Sequence, residues 1–327
     1  MRRGGIVLCA LSAFAATALL PARAPAQSDY PNRTIKLIVP FAAGGVVDVI
    51  GRLWADKMKP LLGTVVVENQ GGASGSIGAT EVARAAPDGY TLLLGNTSTQ
   101  VLNPAIMARP PYDPAKDFTA VGMVANSAIS IGVHPSLPAK DLAELITYIK
   151  ANPGKITYGT AGAGTFTHLA GEMFKQMAGT PDVTHIPYRG GGPVTADVVS
   201  GHIPMMAINI TNQVIELHKT GKIRLVAVLT PQRLAVLPEV PAAAETLPGL
   251  VAALFIGVFA PAATPKAIID RIAQAHRAAV TSDEFTSKLV KSGFEPIVDT
   301  PDEALRFITA ERARIIPLAR SLGFKLE

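Results

Sequence analysis

Two stretches of the 327-residue chain carry residue types suited to holding an anion. The first is Phe41-Ala42-Ala43-Gly44-Gly45. The second runs from Thr160 to Thr165 through Gly162, Ala163 and Gly164. Neither contains lysine or arginine, so an anion held there would rest on backbone N–H groups. Each lies where a strand pattern gives way to a helical one. Residues 35–39 (IKLIV) are apolar and β-branched and end at Pro40, after which Val46, Val49, Ile50, Leu53, Trp54 and Met58 fall on one helical face. Residues 156–158 form the second strand, followed by Phe166, Leu169, Ala170, Met173, Phe174 and Met177 at helical spacing. A helix start presents unpaired N–H groups and the positive end of the macrodipole. A junction of this kind taken alone reads better as an ordinary βα turn. Their recurrence about 120 residues apart, near one domain length, points to a ligand held between two units.

Other side chains gather near these junctions, each with a structural and a functional reading. Asp48 precedes Arg52 by four residues in the first helical turn. Its dipole match and ion pair contribute about 0.3–1 kcal/mol each; alternatively it accepts an ammonium or repels a second carboxylate. Thr165 is placed to cap its helix, worth about 1 kcal/mol, which is compatible with touching a ligand. His168 lies off the apolar face, as a pocket donor or a solvated group. Asn96, Thr97 and Ser98 form the polar tip of a strand over 90–94, and Asn209 ends a strand over 205–208. Tyr188 and Arg189 precede three glycines in a tight loop. Arg189 is the best-placed cation for a distal acidic group, or else a surface side chain.

Catalytic patterns are missing from the sequence. There is no G-x-S-x-G, H-E-x-x-H or G-x-x-x-x-G-K-[ST], and GTAGAG at 159–164 lacks the later glycine of a dinucleotide loop. The six histidines show no metal-ligand spacing. A hydrolase using His168 finds no nucleophile paired with it. No catalytic residue, metal or cofactor is assigned, and no enzyme is expected.

Residues 1–26 read as an export signal, with Arg2 and Arg3 before an uncharged apolar stretch over 6–20 and Ala24-Pro25-Ala26 for cleavage before Gln27. Its removal takes away Cys9, the one cysteine, so no disulfide or thiol chemistry remains. The net charge falls from +5 to +2 because Arg2, Arg3 and Arg23 leave with the signal. No basic run survives, which argues against nucleic acid and anionic membrane as partners. The rest alternates strand and helix patterns. This predicts an α/β fold with mainly parallel sheets flanked by helices, and ligands beyond the carboxyl ends of strands. Crossovers between units are read near 124–126 and 229–231.

Eight blocks in order resemble the Bug-type extracytoplasmic solute receptors, the binding proteins of tripartite tricarboxylate transporters. They include PFAAGGVVDVIGR at 40–52, VVVENQGGASGSIG at 65–78, PDGYTLLLGNTST at 87–99, YGTAGAGTFTHLAGEMF at 158–174 and HIPYRGGGPVTADVVSGHIPMM at 185–206. The resemblance implies a two-lobed periplasmic-binding-protein fold (type II-like) with the ligand cleft between lobes. Lobe one would be 29–125 plus 230–327, and lobe two 126–229. It further implies a monomeric periplasmic receptor gripping a small carboxylate (a di- or tricarboxylate, an amino acid or an aromatic acid) between the loops at 41–45 and 160–165. Membrane permease subunits would be its partners, or a sensor kinase if the receptor serves signalling. His202 stands where the family carries an acidic residue, Phe255 where tryptophan is common, and Ala161, Ala163 and Phe166 in a loop that is often serine-rich. The fewer hydroxyls of that loop and the bulky Phe166 point to a less polar ligand.

Protein recovered from the periplasm is expected to begin at Gln27, as N-terminal sequencing would show; intact Met1 chain in the cytoplasm would contradict the export signal.

Overall fold

Strand β1 (Ile35–Val39) buries Ile35, Leu37, Ile38 and Val39 completely and turns Lys36 outward to Glu68, Nζ to Oε2 at 2.9 Å. The computed structural model describes residues 30–326, so the export signal lies outside the described residues. Along the chain follow α1 (Val46–Leu62), β2 (Val65–Asn69), α2 (Ser76–Ala83), β3 (Thr91–Asn96), α3 (Asn103–Ile106) and the long β4 (Phe118–Val133). Next come α4 (Leu142–Ala151), β5 (Thr157–Thr160), α5 (Phe166–Ala178), β6 (Thr184–Pro187), α6 (Gly191–Val199), β7 (Met205–Asn209), α7 (Asn212–Lys219) and β8 (Arg224–Val228). The chain ends with β9 (Ala253–Pro261), α8 (Lys266–Val280), α9 (Asp283–Lys291), β10 (Phe294–Pro296) and α10 (Pro301–Ser321).

The α/β class is the expected one, and the sheet is mixed. Its order is β2-β1-β3-β9-β4-β7-β5-β6, with β8 and β10 also paired to β4. Parallel pairs join β1 to β2 and β3, and β5 to β6 and β7. Every pair involving β4 or β9 is antiparallel. β4 changes partners along its length: residues 118–128 pair with β9, and residues 129–133 with β7 and β8. The sheet thus has a β1 side and a β5 side, each a parallel group with helices between its strands.

Several boundaries depart from the sequence expectation for local reasons. β9 lies in an apolar stretch interrupted by glycine, yet Gly257 is a strand residue at a close approach. A Cβ there would lie 2.8 Å from Met123 Sδ on β4. Gly191 and Gly192 open α6 instead of belonging to the preceding loop. Helix α4 starts at Leu142, because Asp141 accepts from Glu144 N and caps it there. On α5, Phe166, Leu169, Ala170, Met173 and Phe174 are buried as expected, but Met177 is 39% exposed. On α1, Val49 and Leu53 are half-buried, while Val47 and Ala55 join the buried face.

Helices α1 and α8 are tied to β4 by a buried polar chain. Trp54 Nε1 donates to His276 Nδ1 at 3.0 Å, and His276 Nε2 lies 2.9 Å from Met123 O. An indole can only donate and a carbonyl only accept, so the proton sits on Nε2 and the ring is neutral. Burial pushes the imidazole down to about 4, against the opposing pull of the Met123 carbonyl. The unfolded chain, titrating near the ordinary value of 6.5, binds that proton first. Stability is therefore full above about 6.5 and declines as pH falls toward 4. Urea titrations at pH 7 and pH 4.5 should show wild type losing about 2–3 kcal/mol more than His276→Gln over that interval; equal losses would remove the assignment.

Candidate functional site

The loop between β1 and α1 is shaped by a carboxylate beneath it. Asp48 is buried, and its Oδ2 accepts from Gly44 N at 2.9 Å and Arg52 Nε at 3.1 Å. Its Oδ1 accepts from Asn69 Nδ2 at 3.0 Å, and the same amide donates to Phe41 O. Burial pushes this carboxyl upward, but the hydrogen bonds from Arg52, Gly44 and Asn69 outweigh it and hold the group below its ordinary range. With its oxygens occupied, Asp48 positions Gly44 and does not line a cavity. Gly44 sits at φ +80°, where a side chain is strained.

The loop between β5 and α5 is built from its own hydroxyls. Thr165 Oγ1 donates to Gly162 O at 2.7 Å and caps α5 by accepting from His168 N. Thr167 Oγ1 accepts from Ala161 N at 3.1 Å. Behind the loop, His168 Nδ1 accepts from Gly164 N at 3.1 Å, and its ring stacks on His185 with centroids 3.7 Å apart. Thr160 Oγ1 pairs with His185 Nε2 at 2.6 Å. Burial, then the nearby His168, lower His185 to about 3, so that ring is neutral. His168 and Thr160 support the loop from behind.

A third junction completes the site, and backbone meets backbone there. Ala42 N donates to Arg189 O at 3.0 Å. A Cβ on Gly192 would lie 2.4 Å from Ala43 O, one on Gly190 3.0 Å from Ala42 N, and one on Gly45 3.3 Å from Gly191 N. The start of α6 therefore abuts the start of α1 with no side chain between them. Two further contacts join the β1 side to the β5 side. Ser98 Oγ accepts from Phe166 N at 2.9 Å, and Ser74 Oγ donates to Ala163 O.

These contacts border a narrow, partly open cavity. Of the residues singled out in the sequence, Phe41, Gly44, Gly45, Asn96, Ser98, Thr165 and Asn209 line it. Gly162, Ala163, Tyr188 and Arg189 line an outer recess instead, which shares Phe41 and Ala161 with the cavity. Tyr188 donates to Asp197 Oδ2 at 2.6 Å, and Arg189 is exposed. Ala42 and Ala43 contribute the backbone contact with α6. Thr97 faces the core, its Oγ1 accepting from Phe255 N at 2.9 Å, and Gly164 packs against Leu326.

Val46, Val47, Ala161, Thr167, Gly191 and Thr195 also line the cavity, as do Ile208, Thr211, Val214 and Leu254. Thr211 carried a readable signal as a threonine between a strand end and an amphipathic helix; it caps α7 by accepting from Val214 N at 3.2 Å. Leu254 carried none, since its place depends on β9 reaching the sheet centre. Among the described residues no charged side chain lines the cavity, so none of them sets an acid–base pair against its hydroxyls. Hydrogen-bonding uncharged groups and helix N-termini suit it to hold an anion.

A family model described as Tripartite tricarboxylate transporter family receptor matches residues 50–324. The chain belongs to that receptor family. It is 34% identical over 327 residues to protein BugT of Bordetella pertussis, covering 98% of each chain. Among solved structures, the periplasmic binding protein BugD superposes with a TM-score of 0.87 at 31% identity, over 91% of this chain and 100% of that one. R. palustris Rpa4515, solved with adipate, gives 0.87 at 34% identity, over 91% and 99%. The fold is that of periplasmic binding proteins, and the family's receptors bind solutes.

Asp48→Ala would leave Gly44 N and Asn69 Nδ2 without their acceptor. We expect a loss of about 1–3 kcal/mol in urea denaturation; an unchanged midpoint would mean the loop holds without the carboxylate.

Proposed function

We propose that this receptor is exported to the periplasm, closes two lobes on a small organic carboxylate and delivers it to membrane permease subunits. One observation carries the reading: two glycine-led helix N-termini, α1 and α6, abut at a cavity that no charged side chain lines among the described residues. Such a site stabilises an anion by N–H donors and helix dipoles, and hydrogen bonds to a charged group contribute about 1.5–3 kcal/mol each. The adipate bound by Rpa4515 supports a carboxylate as the solute class.

Division into lobes 29–125 plus 230–327 and 126–229 is supported by the partner change of β4, near the crossover read at 124–126. The backbone contacts between the two sides would then be closure contacts, made when the lobes come together and broken when they hinge apart.

Native purification of the mature chain followed by mass spectrometry of released small molecules should yield an organic acid. Small-angle scattering should show a smaller radius of gyration with that acid than without it. Gly192→Ala, whose methyl would meet Ala43 O, should keep the fold by circular dichroism but weaken both closure and binding. An identical profile with and without saturating acid would count against hinged lobes, and a co-purified neutral sugar or cation against the carboxylate.

A further inference from the structure

Four helix N-termini reach the cavity, through Val46 and Val47 of α1, Thr165 and Thr167 at α5, Gly191 of α6, and Thr211 and Val214 at α7. They are not equivalent as anion donors. At α5, Thr165 accepts from His168 N, and Phe166 N donates to Ser98 Oγ. At α7, Thr211 accepts from Val214 N. Helices α1 and α6 start from Gly45 and Gly190, and neither has a side-chain cap. The uncapped first turns are thus concentrated where Gly45 meets Gly191, and one anion placed there would face both.

A side-chain donor adds to this position. Asn96 is only 2% exposed and lines the cavity. Its Oδ1 accepts from Thr99 N at 3.1 Å, which fixes the amide, and its Nδ2 has no partner among the described residues. Elsewhere the wall is unsuited to a second negative group. Val47, Ile208, Val214 and Leu254 are apolar, and among the described residues no lysine, arginine or histidine lines the wall to neutralise charge. Asn209 commits its Nδ2 to the carbonyls of Ser127 and Ala128, so the free atom of that amide is an acceptor. A buried carboxylate facing apolar groups and an acceptor would be desolvated without compensation.

We propose that the ligand of this receptor carries a single carboxylate on an uncharged, mainly apolar body, and that the cavity discriminates against the matching dicarboxylate. The proposal rests on the carboxylate reading above. The carboxylate lies between the starts of α1 and α6 within reach of Asn96, and the body fills the side formed by Ile208, Val214 and Leu254. Specificity arises from the missing cation as much as from the donors present.

The test uses pairs of acids that differ only by a second carboxylate: butanoate and succinate, hexanoate and adipate, benzoate and terephthalate. Titration calorimetry on ligand-stripped mature protein should find the monocarboxylate tighter by about tenfold or more in every pair that binds. Asn96→Asp keeps the acceptor for Thr99 N but replaces the free donor with a negative oxygen. It should reduce monocarboxylate affinity by about tenfold or more with unchanged circular dichroism. Leu254→Arg should move the preference toward adipate. Wild type binding the dicarboxylate of a pair as tightly as its partner overturns the selectivity while leaving the carboxylate reading standing. Failure of all six acids overturns both.

Discussion

Close approach of two backbones, Ala43-Gly44 of the β1–α1 loop and Gly192 of α6, is the constraint on which this site depends. A methyl at Gly192 would lie 2.4 Å from Ala43 O, closer than any Cβ is found. Only glycine there lets the first turns of two helices come together with their N–H groups uncovered. Side chains would both separate the loops and screen the donors. The same contact forms one wall of the cavity, so the close approach of the loops and the exposure of their N–H groups have one physical origin.

Around that contact the charged groups are placed outside the cavity. Asp48 takes up Gly44 N, Asn69 and Arg52 beneath one loop. His168 and His185 stack beneath the other, with Glu172 Oε1 3.6 Å from His168 Nε2. Glu172 is pushed up by its burial but drawn down to about 2 by hydrogen bonds from His168, Tyr158 and Lys175. These groups hold the loops, while uncharged groups face the cavity. A second layer that includes the charged side chains of Asp48, Arg52, Glu172 and Lys175 thus supports a first layer of uncharged groups.

The sheet makes this arrangement possible. β4 is long enough to pair with β9 over 118–128 and with β7 and β8 over 129–133. Strand ends on both of its sides then deliver residues to one place: Phe41 to Gly45 after β1, Asn96 at the end of β3, Asn209 at the end of β7 and the Gly/Thr loop after β5. The family match over 50–324 accords with this shared frame, since the frame is built from hydrophobic pattern and turn glycines spread along the whole chain.

Local pattern in the sequence determined the alternation of strands and helices and the glycine-rich junctions at 41–45 and 160–165. Strand burial and helical faces follow from short-range periodicity, and glycine loops from their residue types. Tertiary structure decided which candidates meet the cavity. Asp48, Thr97, Thr160 and His168 stand at the right junctions, yet their partners lie behind the loops. Those partners come from Asn69, Phe255, His185 and Gly164, three of them distant in the chain, and no local signal records such pairings. β9 was obscured because Gly257 weakens a strand signal until Met123 is known to press against it. Leu254 and Ile208 reach the wall only through that sheet order. The choice of α6, not α5, as the open partner of α1 likewise came from packing, because a glycine and a threonine cap differ in what they leave free only once the two helix starts are brought face to face.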